Sequence, residues 1–278
     1  MEMARFEDAI MQISSAGRTN LGDYMVDGLL YCGKCHTQKQ VSFRIQGRMV
    51  KSFCLCECEE ENLKRQEEQE RREKRERHIR YLRETAFPEK RMWEWTFDKD
   101  DGSNGRVSAI SRRFVEVFPE MRERGKGLLL YGPVGTGKTF AAACIVNALI
   151  DKSIPCLMTS FARLTNELQG LYDGRQDYID SLNKYPLLVI DDLAAERDTE
   201  YMGEIVQSVI DARDKSGLPL IVTTNLTPQE LKNATDIRKQ RVFSRLFEMC
   251  FPLEVPGEDR RKKKLRDEIG ELRKLLES

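Results

Sequence analysis

The chain has 278 residues, 46 of them basic and 46 acidic, so its formal net charge at pH 7 is zero. One-third of its residues are charged (33%), against about 25% in an ordinary soluble domain, and its longest apolar stretch (140–150) is far shorter than the roughly 20 residues that span a bilayer. These figures exclude a polybasic nucleic-acid coat protein and a membrane-spanning helix. The acidic start, without an apolar h-region, excludes a secretory signal. A cytoplasmic protein with no membrane partner is expected.

In chain order, residues 1–20 read as a short, weakly amphipathic helix. Residues 21–58 combine small apolar runs with five cysteines of the chain's eight. A segment this small cannot bury enough apolar surface alone and needs a staple. In the cytosol a metal is the expected staple rather than a disulfide, with unligated buried or redox cysteines as the alternative. Cys32-x2-Cys35 and Cys54-x-Cys56-x-Cys58 stand 18 residues apart, a spacing that suits tetrahedral Zn2+ in a small ribbon or knuckle. Five cysteines, with His36 adjacent, compete for four positions, and the spacing alone leaves Cys54 with Cys58 as an alternative pair.

Residues 59–85 are strong helix formers with almost no apolar face. Opposite charges recur at i,i+4, as in Glu67 and Arg71, which predicts a solvated spacer helix. From residue 86 onward, strand-like and helix-like segments alternate. Strands are predicted over 127–132, 154–160, 186–193 and 218–225. Helices are predicted over 138–152, 161–172 and 200–215, with another beginning at a Thr227 cap and Pro228. This rhythm predicts an α/β fold, a mostly parallel sheet flanked by helices. Leu265, Ile269, Leu272 and Leu276 recur at helical spacing and predict an amphipathic C-terminal helix.

Gly132-Pro133-Val134-Gly135-Thr136-Gly137-Lys138-Thr139 satisfies G-x-x-x-x-G-K-[ST] between a strand and a helix. Such a loop turns its backbone N–H groups onto phosphates, and the helix opening at Lys138 adds its positive dipole end. The nucleotide-binding stretch is read as 132–140, ending at Phe140. Lys138 is expected on the β- and γ-phosphates of ATP, and the Thr139 hydroxyl on Mg2+. The apolar run 187–190 ends in Asp191 and Asp192. Asp191 is expected to hold Mg2+, and Asp192 to polarise the attacking water or, alternatively, to cap the next helix. Asn225, ending the following strand, is expected at the γ-phosphate or that water; an ordinary turn is the alternative.

YGPVGTGKT (131–139), LLVIDDL (187–193), LIVTTNLTPQEL (220–231) and RVFSRL (241–246) together resemble AAA+ ATPases. Among these they resemble the DnaC/DnaI-type helicase loaders and the similar IstB transposition ATPases, over about residues 86–260. The resemblance implies an AAA+ sheet, ATP hydrolysis and self-association through that domain. It also implies delivery of a hexameric replicative helicase to single-stranded DNA. Arg245, with Arg241 second, would reach a neighbouring subunit's nucleotide, and Arg260 resembles the family's sensor arginine. Many hydrolysing relatives carry Glu where this chain has Asp192, so slow turnover is compatible with the pattern. Cys-x-Cys leading into a charged helix resembles loader N-terminal domains, which selects Cys32, Cys35, Cys56 and Cys58 for zinc. Thr159, Ser160, Phe161 and Arg163 match the region where loaders hold single-stranded DNA, although Phe161 reads equally well as a core residue. The implied organisation is a zinc-binding domain (1–58), a charged helical linker (59–85), an AAA+ ATPase domain (86–257) and a C-terminal amphipathic helix (258–278). Alternatives are an IstB-like transposition helper, an ATP-binding adaptor with little hydrolysis, and a small-molecule P-loop kinase.

Overall fold

The computed structural model describes residues 19–171, 173–193, 200–233 and 237–260, together with 269, 273, 275 and 276. Most of the expected helix over 1–20 and of the expected C-terminal helix, and also Tyr172, lie outside the described residues. The chain forms two compact units that part between Glu76 and Arg77, inside the segment expected as a linker.

The first unit contains two antiparallel hairpins, β1 (Tyr24–Val26) with β2 (Leu29–Tyr31) and β3 (Gln40–Ile45) with β4 (Arg48–Phe53). Gln46 and Gly47 turn the second hairpin with φ of 47° and 83°, the two-residue turn whose twist matches paired strands. Its buried apolar residues among those described are few: Leu30, Cys32 and Cys56. A fully buried lysine compensates. Lys39 Nζ lies 2.9 Å from Asp23 Oδ2 and 2.9 Å from Glu59 Oε1. Glu59 belongs to α1 (Glu57–Ala86), so one ammonium fastens the loop before β1 to the start of that helix. Glu57, Glu59 and Glu60 suit the positive N-terminal end of α1. Exposed i,i+4 pairs such as Glu61–Arg65 and Arg72–Glu76 run along it, each worth a few tenths of a kcal/mol, on the order of 0.3–0.5.

The second unit takes in the end of α1 and continues through two short 3-10 turns (Lys90–Glu94 and Phe97–Lys99), α2 (Gly105–Glu116) and α3 (Phe118–Glu123). Then come β5 (Gly127–Tyr131), α4 (Lys138–Asp151), β6 (Cys156–Ser160), α5 (Phe161–Gln169) and α6 (Arg175–Leu182). The unit continues with β7 (Leu187–Leu193), α7 (Glu200–Lys215), β8 (Leu220–Thr224), α8 (Pro228–Lys232), α9 (Ile237–Met249) and β9 (Cys250–Glu254). The five strands pair in the order β6-β7-β8-β5-β9, all parallel, which is the expected α/β sheet. Strands buried on both faces read as continuous apolar runs. Leu128 and Leu130 join one core with α2 and α4, whereas Leu129 joins the other with α5, α7 and α9.

Three details differ from the sequence expectation. The helix expected over 161–172 ends at Gln169, and a separate α6 follows. β9 is a fifth strand beside β5, although Pro252 weakens its strand signal. Asn147, which interrupts the apolar run of α4, is buried and donates through Nδ2 to the carbonyls of Met92 and Trp95, both at 2.9 Å. That side chain pins the first 3-10 turn to α4. The Thr227 cap is a full capping box with Glu230.

Candidate nucleotide site and metal centre

β5 delivers the glycine loop to the C-terminal edge of the sheet, and α4 begins at its end. Gly137 has φ of 100°, a left-handed conformation open to glycine without a Cβ clash, and this allows the helix to open directly at Lys138. Lys138 Nζ is buried and donates to the carbonyls of Gly132 (2.8 Å) and Pro133 (2.7 Å). Val134 stands exposed at the loop tip. Thr139 Oγ1 donates to Asp191 Oδ1 at 2.9 Å, so the two residues expected to share Mg2+ stand side by side. Burial raises the pKa of Asp191, while hydroxyl bonds from Thr223 and Thr139 oppose the rise. A divalent cation here would compensate the buried charge.

The sequence reading missed what Thr223 does. Its Oγ1 donates to Asp191 Oδ1 at 2.6 Å and accepts the Asp192 backbone N–H at 2.9 Å. Between Ile190 and Leu193 the β7–β8 register slips: two residues of β7 stand against one of β8. That bulge puts Asp192 at φ 55° and leaves it exposed. One hydroxyl thus fixes both acids, half-buried Asp191 by its carboxylate and exposed Asp192 by its backbone. Asn225 is exposed just beyond the end of β8. The signal for Thr223 was present in the sequence as two polar residues closing an apolar strand.

Beside the loop lies an open pocket lined by Phe97, Asp100, Ser108, Ser111, Gly137 and Arg260 among others. Ser111 Oγ is buried there without a hydrogen-bond partner. An orphaned hydroxyl in a pocket that opens on a glycine loop fits the polar edge of a nucleotide base, since a buried polar group without a partner is costly. Arg260 donates its backbone N–H to the Gly135 carbonyl at 3.0 Å. Its guanidinium touches Ser103 Oγ and lies 3.4 Å from Asp101. The arginine therefore reaches both the phosphate loop and the pocket wall. Phe140 lines the same pocket.

Two of the residues singled out in the sequence find their partners within the chain. Phe161 is only 6% exposed and belongs to the core, so it offers no face for base stacking. Its neighbour Arg163 is paired with Glu167 at 2.8 Å. Arg245 on α9 forms an ion pair with Asp211 on α7, so within a single chain the guanidinium is held by its own fold. Arg241 is exposed.

In the first unit, Cys32, Cys35, Cys56 and Cys58 bring their Sγ atoms within 4.8 Å of one another. Cys54 stands apart and donates its thiol to the Gln38 carbonyl at 3.4 Å, and His36 Nδ1 pairs with the Tyr24 hydroxyl at 3.1 Å. The four thiols suit a tetrahedral sulfur cage. The Thr37 hydroxyl, 3.0 Å from Cys35 Sγ, is the main influence that holds that thiol down to about 6. The Lys34 backbone N–H points at Cys32 Sγ (3.4 Å). Burial pushes Cys56 up, a cost that a bound cation would remove.

With this geometry in hand, residues 57–268 match the IstB-like ATP binding protein family. The chain belongs to that family. The match contains the glycine loop, Asp191, Asp192 and Arg260, and it leaves out the two hairpins. The replicative helicase loader DnaI of Bacillus subtilis (strain 168) is 26% identical over 194 residues, 65% of this chain and 62% of that protein. The replicative helicase loader DnaC of Escherichia coli (strain K12) is 26% identical over 148 residues, 51% of this chain and 58% of that one. The chain thus spans about three-fifths of the length of these relatives. A crystal structure of the DnaC helicase loader superposes on 60% of this chain and all of that one, with a TM-score of 0.52 and 27% identity. As an IstB-like ATP binding protein the chain has a nucleotide ligand and, with it, Mg2+. Among the described residues, no helix is long and apolar enough to cross a membrane.

Proposed function

We propose that this chain is an ATP-hydrolysing loader that delivers a hexameric replicative helicase to single-stranded DNA. The observation that carries the reading is its likeness to two replicative helicase loaders across the part that holds a complete nucleotide site. Lys138 leaves the Gly132 and Pro133 carbonyls for the β- and γ-phosphates. Thr139 and Asp191 hold Mg2+, which offsets phosphate charge when bound. Asp192, exposed on its bulge, faces outward to orient the attacking water, and Asn225 stands near the same strand end. Ser111 and Arg260 hold the base side and the loop side of the nucleotide. Arg245 exchanges Asp211 for a neighbour's γ-phosphate when copies of the chain assemble, so hydrolysis depends on assembly. Cys32, Cys35, Cys56 and Cys58 hold Zn2+, which cross-links the small first unit, and that unit makes the contact with the helicase.

The test is a pull-down of zinc-loaded chain with the source organism's replicative helicase, with and without ATP. A complex that disappears when residues 1–60 are deleted is the expected result. The absence of a complex under every nucleotide condition contradicts it. The family match itself favours a second reading, a transposition helper; capture of a transposase encoded beside the gene, in place of the helicase, selects that reading.

A further inference from the structure

Residues 28–56 contain no Asp or Glu, in a chain where 46 of 278 residues are acidic. The same stretch holds Lys34, Lys39, Arg44, Arg48 and Lys51. Lys39 is buried between two carboxylates. Arg44 and Arg48, in contrast, are exposed at the tip of the β3–β4 ribbon, and among the described residues neither has an acidic partner. Apolar side chains beside them are also uncovered. Val41, Phe43 and Ile45 are 39%, 43% and 51% exposed, and Met49 is 61% exposed. The first three alternate along β3 and share one face, with Val50 and Arg48 opposite Phe43 and Ile45. Lys51 lies on the other face, with Arg44 and Met49, and donates to the Gly28 carbonyl at 2.6 Å.

An uncovered strip with an aromatic ring, the Arg48 guanidinium on the same face and no carboxylate complements a polyanion with flat bases. Bases stack on aromatic side chains while cations follow the phosphates. The acidic first turn of α1 and the thiols of Cys56 and Cys58 follow the opposite end of the ribbon from its turn. The surface expected for DNA at the start of α5 lacks this combination, because Phe161 is buried and Arg163 is paired.

We propose that the β3–β4 ribbon of the first unit binds single-stranded DNA, with bases on Val41, Phe43 and Ile45 and phosphates on Arg48, which shares their face. The inference deepens the loader reading by naming the surface that holds the strand. It rests on that reading only for the choice of DNA over RNA.

The experiment is fluorescence anisotropy of a labelled 20-nucleotide oligo-dT with the zinc-loaded full chain, across a salt series. Binding that weakens as salt rises is expected. Phe43→Ala should weaken it about tenfold, within the range for loss of one stacked base. The variant Arg48→Ala should weaken it and flatten the salt slope by about 0.7, with Arg44→Ala, on the other face of the ribbon, as the control. A duplex of equal length should bind less tightly and ignore Phe43→Ala. All three side chains are exposed, so zinc content and thermal melting should stay unchanged and are checked alongside. Absence of binding overturns the proposal, as does unchanged binding in both Phe43→Ala and Arg48→Ala. Variants that keep the DNA but lose the replicative helicase also overturn it, because the ribbon is then a protein-docking face. The loader reading fails separately: a chain that binds oligo-dT through the ribbon yet never engages the helicase contradicts the loader and leaves the ribbon intact.

Discussion

Thr223 offers the most direct test at the scale of a residue. Its hydroxyl spans Asp191 and the Asp192 backbone, so its loss frees both acids at once. Thr223→Val keeps the shape and removes the bond. A hydrogen bond to a charged group contributes about 1.5–3 kcal/mol, so kcat for ATP hydrolysis should fall by about 10- to 100-fold. ATP affinity, measured with a fluorescent analogue, should hold, and Thr223→Ser should restore the rate. Loss of affinity at unchanged kcat would place Thr223 in binding instead. Lys138→Ala is expected to abolish nucleotide binding, because no other described lysine or arginine stands inside the glycine loop; isothermal titration checks this. The glycine loop was legible because spacing fixes it; spacing marked the cysteine cluster as a metal candidate but left Cys54 in competition, and only the resemblance to loader N-terminal domains selected Cys32, Cys35, Cys56 and Cys58. Thr223 was marked only as a polar residue closing an apolar strand, since its role depends on a register slip between two strands that no single segment encodes. Asp211 facing Arg245 was hidden for the same reason: the two residues meet only after α7 and α9 pack.

Among the elements, the parallel strands declared themselves as apolar runs, and the switch of period at residue 86 separated them from the charged helix. What the pattern hid was β9, whose Pro252 and exposed Phe251 argue locally against a strand. Tertiary pairing with β5 decides there. β5 itself depends on a close approach, because a Cβ on Gly127 would collide with the Leu220 carbonyl. Gly127→Ala should therefore destabilise the second unit by about 1–3 kcal/mol, read as a lower urea midpoint. The first unit has another dependence. With so few buried apolar residues, it should lose its structure when a chelator strips the zinc. A zinc-sensitive dye should report one ion released per chain, and amide exchange should rise in 19–56 while the β5–β9 sheet stays protected. Protection that survives chelation would show that the Lys39 ion pairs alone hold the hairpins.

For the whole molecule, a unit that zinc would staple is followed along the chain, through a charged helix of 30 residues, by a nucleotide-binding one. The proposed role of Arg245 requires copies of the chain to assemble. ATP should shift the chain to larger assemblies in sedimentation. Arg245→Ala should keep ATP binding while steady-state hydrolysis falls by about 10³ or more, the scale of a missing arginine finger. Equal hydrolysis would leave Arg245 as the Asp211 ion pair alone. The central claim, that the chain places a closed helicase ring on a strand, is tested most directly on circular single-stranded DNA carrying an annealed oligonucleotide. A ring cannot thread a circle that has no end. The account predicts that the source organism's replicative helicase displaces the oligonucleotide only when this chain is added, and that the Lys138→Ala chain does not support displacement. Displacement at the same rate without the chain, or with the Lys138→Ala chain, would contradict it.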